Sequence, residues 1–138
     1  MERTLVLIKP DACQGGHIGD IVKIYEGAGF KILAMKMMRM TEAMAAEHYA
    51  EHIGRPYYEG LKEFMTSAPL VAMVLSGENV IAKVRELNGA TNPKNAAEGT
   101  VRKLYATDGS KNAVHASDSP ASAAREIPIF FNAEEIMV

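Results

Sequence analysis

Asn112-Ala113-Val114-His115-Ala116-Ser117-Asp118-Ser119-Pro120 holds more potential chemistry than any other stretch of this 138-residue chain. An apolar pair delivers a histidine to what reads as a strand end. Ser119-Pro120 then supplies the N-cap and first position of a helix through Ala121, Ala123 and Ala124. Small neighbours leave a ligand room to reach the ring, and a helix start offers backbone N–H groups suited to an anion. Taken alone, the stretch also fits a turn histidine that merely precedes a helix, so the rest of the chain has to decide.

Other residues could serve an anion at the same place. Lys9 follows an apolar run and precedes Pro10, which disfavours helix at Lys9 and holds it extended at a strand end. Arg85 lies in a helical pattern whose apolar face is Val80, Ile81, Val84 and Leu87, so it is turned away from that face. Thr91, Arg102 and Lys111 sit in a long Gly/Asn/Thr/Lys/Pro-rich excursion from Asn88 to Asn112, and all can meet phosphate oxygens. No G-x-x-x-x-G-K-[ST] is present, and Gly15, Gly16 and Gly19 do not form G-x-G-x-x-G, so no phosphate loop of those kinds is expected.

His48-Tyr49-Ala50-Glu51-His52 matches H-x-x-E-H, an inverted zinc-protease signature, with both histidines one turn apart on an expected helix capped by Thr41. Zinc there would need a further ligand on another element, and no downstream acidic cluster announces one. These histidines are expected to be exposed or to edge a ligand site. Alternation along the strand places His115 and Ser117 on one face and Asp118 on the other, which weakens a Ser-His-Asp hydrolase reading.

The elements that would position these groups read strand, helix, strand, helices, strand, helix, loop, strand, helix. Thr4–Ile8 and 69–75 are continuous apolar runs, as of strands covered on both faces. Phe30–Met40 is strand-like, and Ile18 to Ala28 has helical spacing. Strand-helix-strand twice over implies an α+β fold. It would be a ferredoxin-like βαββαβ sandwich whose four-stranded antiparallel sheet carries helices on one face, with a long loop before the last strand. The final helix is expected to end near Ile127, and Pro128–Phe131 to pack down behind it.

The length suits one domain spanning residues 1–138, large enough for its own core. A single cysteine, Cys13, allows no internal disulfide and is consistent with a reducing compartment. No apolar run approaches a membrane span, and the N-terminus leads straight into a strand, so a cytoplasmic protein without membrane attachment is expected. A formal net charge of −2 gives no global attraction to nucleic acid, which disfavours a DNA-binding or nuclease role. With no tryptophan, the core leans on aliphatic residues and nine methionines.

The motifs assembled in order are Lys9-Pro10-Asp11, His48-Tyr49, Arg55-Pro56-Tyr57-Tyr58, Gly89-Ala90-Thr91-Asn92-Pro93, Gly99-Thr100-Val101-Arg102 and Asn112 to Ser119. Together they make the chain resemble the nucleoside diphosphate kinase family over essentially its whole length. The histidine stretch follows that family's N-x-x-H-G-S-D except at Ala116, where glycine is usual.

The resemblance implies a reversible, ping-pong, Mg2+-dependent transfer of the γ-phosphate from ATP or another nucleoside triphosphate to a nucleoside diphosphate. The carrier would be a phosphohistidine at His115. It implies that Lys9, Arg85, Thr91 and Arg102 contact phosphates, that Asn112 with Lys9 reaches the ribose, and that Tyr57 stacks on the base with Leu61 behind it. It further implies that Tyr49 lies against His115, that Glu126 accepts from the other imidazole nitrogen with Ser117 supporting it, and that Asp118 holds the metal through water.

A homo-oligomer, tetramer or hexamer, and broad base specificity are implied as well. Leu104 and Gly109 also depart from the family pattern, the latter where an apolar side chain usually closes the base site. The alternative on the same fold is a catalytically quiet nucleotide-binding or histidine-phosphorelay protein.

Overall fold

A computed structural model describes residues 1–137. β1 (Glu2–Ile8) is central, with β3 (Leu70–Gly77) on one side and β4 (Val114–Ala116) on the other, and β2 (Lys31–Met38) completes the order β2-β3-β1-β4. Every pairing is antiparallel. This is the expected ferredoxin-like sheet. α1 (Pro10–Gln14) and α2 (Ile18–Gly27) join β1 to β2, α3 (Glu42–His48) and α4 (Tyr58–Thr66) join β2 to β3, and α5 (Val80–Asn88) follows β3. α6 (Val101–Tyr105) lies in the excursion before β4, and α7 (Pro120–Phe130) follows it.

The sheet is covered on both faces, where helices on one face were expected. Val6 and Ile8 of β1, with Val71, Met73 and Leu75 of β3, pack against Ile21 and Tyr25 of α2 and Val80 and Val84 of α5. Leu5 and Leu7, with Ala72 and Val74, pack against Ala45 of α3, Met65 of α4 and Phe130 of α7. The uninterrupted apolar runs Leu5–Ile8 of β1 and Leu70–Leu75 of β3 are the cause, because over those residues neither face has polar side chains to give to water.

Further differences have local causes. Residues 10–14 form a short helix because Pro10 fits the first helical position and Asp11 the first turn, while Lys9 remains extended at φ −71°, ψ 163°. α3 stops at His48, with Tyr49 as its C-cap, and Ala50–His52 is a 3-10 turn. His48 and His52 therefore do not share a helix. α7 continues through Pro128 to Phe130 and carries Phe130 and Phe131 into the core.

Candidate functional site

β4 pairs His115 opposite Leu7 and Ala116 opposite Val6, so alternation sends His115 to the face covered by α3 and α7. Pairing persists one residue further. Ser117 donates its N–H to the Leu5 carbonyl at 3.1 Å, and its Oγ accepts from the Leu5 N–H at 3.2 Å. Ser117 thus stays on the His115 side while the chain turns toward α7, which Ser119 caps by accepting from the Ser122 N–H.

That turn fixes the histidine. Glu126 of α7 is 5 % exposed. Its Oε1 lies 2.9 Å from His115 Nε2 and accepts from Ser117 Oγ, also at 2.9 Å. A carboxylate partner places the imidazole proton on Nε2 and leaves the Nδ1 lone pair free. Burial alone would push the Glu126 carboxyl up, but the His115 hydrogen bond and charge, with His48 and Ser117, outweigh it and hold the group below its usual range.

The segment before His115 is held by groups distant in sequence. Ala113 is buried and left-handed at φ +72°, a conformation that a side-chain-bearing residue adopts at a cost of about 1–2 kcal/mol. Two hydrogen bonds bracket it: Lys9 N–H to the Ala113 carbonyl at 2.8 Å, and Ala113 N–H to Asp11 Oδ2 at 3.1 Å. Arg102 donates to the carbonyls of Asn112 (3.3 Å), Gly89 (2.8 Å) and Val114 (2.9 Å). Its guanidinium therefore clasps the end of α5 to β4 and still retains free N–H donors.

A cavity of about 280 Å³ opens beside His115. Lys9, Tyr49, Arg85, Thr91, Arg102, Asn112, Asp118 and Glu126 line it together with His115, so most of the residues singled out in the sequence converge there. A neighbouring cavity of about 420 Å³ shares Arg85, Thr91, Arg102 and Ala116. Lys9 Nζ donates to Asn112 Oδ1 at 2.7 Å, and Asn112 Nδ2 donates to the Gly109 carbonyl at 3.1 Å. Burial, and then Arg102, pull the Lys9 ammonium down to about 8, with Asp11 opposing.

Asp118 lies beyond the end of β4, lines the same cavity as His115 and is exposed. Strand alternation no longer governs it there, so the expectation that it faces away from His115 does not hold. Its Oδ1 accepts from Ser122 Oγ at 2.6 Å, and this bond is the largest influence holding its carboxyl below the usual range.

Tyr57 and Leu61 do not line the cavity. Tyr57 is half exposed, and its hydroxyl bonds His52 Nδ1, a residue at the cavity wall. Tyr49 stands in the wall with its hydroxyl buried and unpartnered, and burial followed by the Glu126 charge pushes its phenol up.

Sequence reasoning missed Arg125 and the anchoring role of Asp11, and it took His48 for an exposed or ligand-edge histidine, where the structure buries it at the cavity wall. His48 is 4 % exposed and packs edge-on to His115, with ring centroids 4.7 Å apart. Arg125 donates to the carbonyls of Glu47 (3.1 Å) and His48 (3.4 Å), tying the end of α3 to α7 beside Glu126. Asp11 anchors Ala113. Asp11 had a local signal in Lys9-Pro10-Asp11; the other two depend on where α3 ends.

A family model described as nucleoside diphosphate kinase matches residues 2–136. A nucleoside diphosphate kinase of Desulfosudis oleivorans is 53 % identical over 137 residues, covering 99 % of this chain and 99 % of that one. Among solved structures, the Aquifex aeolicus nucleoside diphosphate kinase superposes with a TM-score of 0.96 at 46 % identity, covering 99 % of both chains. A halophilic nucleoside diphosphate kinase from Halobacterium salinarum, solved in complex with CDP, gives 0.97 at 45 % identity, covering 99 % of this chain and 91 % of that one.

Proposed function

Starting from a chain that belongs to the nucleoside diphosphate kinase family, and is thus a phosphotransferase, we propose that it works through a phosphohistidine at His115. The terminal phosphate of a nucleoside triphosphate would move onto His115 Nδ1 and from there to a nucleoside diphosphate. The observation that carries this is the 2.9 Å bond from His115 Nε2 to Glu126, which leaves Nδ1 as the free nucleophile in a cavity lined with cations.

Attack forms the Nδ1–P bond and breaks the bond from phosphorus to the leaving diphosphate oxygen. The ring gains positive character while Nε2 keeps its proton, and Glu126 is placed to stabilise that charge. The return step is the same transfer to a second nucleotide, so donor and acceptor use one pocket in turn.

Lys9, Arg85 and Arg102 supply positive charge, and Thr91 a hydroxyl, for the phosphate oxygens, which is the main work of a protein in phosphoryl transfer. Asn112, already oriented by Lys9, is assigned the ribose hydroxyls. Tyr57 offers an exposed aromatic face for the base, backed by Leu61, and stacking of that kind accepts any base.

Mg2+ fits the donor set: Asp118 is an ionised, exposed carboxylate at the phosphate cavity, and magnesium is typically held by one or two carboxylates, water and substrate phosphates. When bound, the ion would neutralise charge on the phosphates, with Asp118 holding it through water. A cytoplasmic homo-oligomer, tetramer or hexamer, completes the reading. In its support, β2 is a sheet edge with Met35 and Met37 exposed, Cys13 is free, and among the described residues no helix is long and apolar enough to cross a membrane.

The test is phosphorylation by labelled ATP with Mg2+. The label should be acid-labile, leave rapidly into GTP on addition of GDP, and be absent from His115→Ala, which should still bind nucleotide. Retained label in the wild type would indicate a relay protein instead, and substantial ATP-to-GDP transfer by His115→Ala would sink the assignment.

A further inference from the structure

Phosphoryl transfer as described leaves His48 without a task, yet the fold seats it against the nucleophile. Its ring is buried, its Nδ1 has no hydrogen-bond partner, and His115, Tyr49 and Phe130 surround it edge-on. His48, His115 and Glu126 each present one potential ligand atom, and these three atoms lie within 4.8 Å of one another. We propose that His48, His115 and Glu126 form a binding site for a zinc-class divalent ion, and that its occupancy holds His115 in the tautomer that cannot accept phosphate.

The donor set selects the ion. Two imidazoles and a carboxylate suit zinc and its neighbours, whereas magnesium prefers oxygen ligands and keeps its water. Zinc bonds of about 2.0–2.2 Å in tetrahedral geometry set ligand atoms about 3.4 Å apart. The Nε2–Oε1 pair, now at 2.9 Å, has to open by a few tenths of an ångström, and the His48 ring has to close in. Ser117 Oγ already orients the carboxylate, as outer-shell partners of metal ligands do. All three residues line the same cavity, so solvent would supply the fourth ligand from it. Lys9 and Arg125 bear on the same place and limit the affinity.

The proton balance makes the site inhibitory. In the free protein, neutral His115 carries its proton on Nε2, donated to Glu126. The metal forms its bond at Nε2, the Nε2–H bond breaks, and the proton re-forms on Nδ1. His48 contributes a lone pair and Glu126 remains a carboxylate, so no proton is released to solvent and no redox change occurs. The Nδ1 lone pair required for attack on phosphorus is gone. This inhibitory half rests on the phosphohistidine reading, while the binding half does not.

The H-x-x-E-H match therefore contributes one ligand, not two. His52 is separated from His48 by the end of α3 and is engaged with Tyr57.

Binding is measured on nucleotide-free protein with Zn2+ alone, in competition with a chelating dye. The wild type should bind one ion per chain, His48→Asn about tenfold or more weakly, and His52→Asn like the wild type. Glu126→Gln, which keeps both imidazoles, should also bind more weakly. X-ray absorption should show two histidines in the wild-type site. Equal affinity in wild type and His48→Asn, or a spectrum with one histidine or none, overturns the site.

Protein loaded with one equivalent of Zn2+ should then take up no acid-labile phosphate from Mg-ATP until a zinc-selective chelator is added. Label uptake at full rate by the loaded protein overturns the tautomer argument. Failure to take up label without zinc overturns the phosphohistidine reading and the inhibitory half with it, leaving the binding result to stand.

Discussion

Buried, unpaired and neutral, His48 should make the protein sensitive to acid in a way that one substitution can isolate. Burial, then the charge of His115, pull its pKa from an ordinary 6.5 to about 3; Glu126 opposes, while Arg125 and Lys9 add to the depression. In the unfolded chain the same imidazole titrates normally. Below about pH 6.5 the unfolded state binds a proton that the native state refuses, so stability falls with pH until the native group also titrates near 3. At 1.36 kcal/mol per pH unit, this one group removes about 3 kcal/mol between pH 7 and pH 4.

His48→Leu deletes that titration. It also removes an orphaned buried Nδ1, a gain of about 1–3 kcal/mol, and loses edge-on ring contacts worth about 0.5–1.5 kcal/mol each. The two effects are comparable, so the variant should be within about 2 kcal/mol of wild type at pH 7. Urea denaturation at pH 7, 6, 5 and 4 reads the rest. Relative to wild type, the variant should gain about 3 kcal/mol on going from pH 7 to pH 4, whatever its offset at neutral pH. Curves that stay parallel would refute a neutral, buried His48.

Nucleotide binding should weaken above pH 8, by up to about tenfold per pH unit, as the Lys9 ammonium pulled down to about 8 loses its proton. Lys9→Arg, whose guanidinium stays charged, should flatten the profile, and a wild-type affinity constant from pH 7 to 9.5 would count against Lys9 as a phosphate ligand. Glu126→Gln should slow His115 phosphorylation by about tenfold or more, since a charge-assisted hydrogen bond becomes a neutral one and the amide can favour the wrong tautomer; a single-turnover rate within threefold of wild type contradicts that role. Gly89→Ala should lower the melting temperature by about 10 °C. Gly89 sits at φ +83°, and a Cβ there would lie 2.6 Å from Thr100 Oγ1, so left-handed strain adds to loss of the Thr100 cap on α6 for about 2–3 kcal/mol. A change of less than 3 °C would show that the loop relaxes freely.

What could be read from the sequence was what local chemistry dictates. Pro10 held Lys9 extended, Ser119-Pro120 started α7, and the helical face of Val80, Ile81, Val84 and Leu87 turned Arg85 outward. Of the cations proposed for the phosphates only Arg102 lies in the glycine-rich excursion; Lys9 follows β1 and Arg85 lies on α5, and it was the resemblance to the family that joined the three. What depended on where an element stops was not legible. α3 could run through His52 on periodicity alone, and only its end at Tyr49 separates the two histidines and buries one beside His115. The second helical layer was half legible: continuous apolar runs in β1 and β3 demanded cover on both faces, but a ferredoxin-like plan alone provides one.

The residues proposed to bind phosphate also hold His115 in place, and this overlap limits how the site can change. Ala113 keeps a left-handed backbone two residues before His115 because Lys9 N–H and Asp11 take its carbonyl and N–H. Arg102 grips Asn112 and Val114 on either side of it, and Lys9 Nζ grips the Asn112 side chain. These partners lie far apart in the chain, so the strain at Ala113 is sustained only when β1, α6 and β4 are assembled. A substitution at Lys9 or Arg102 would therefore remove a proposed phosphate contact and a side-chain hold on Asn112 together, while the Lys9 N–H and Asp11 bonds to Ala113 remain. Losses at the two positions should not be additive, because both side chains hold the same residue, Asn112.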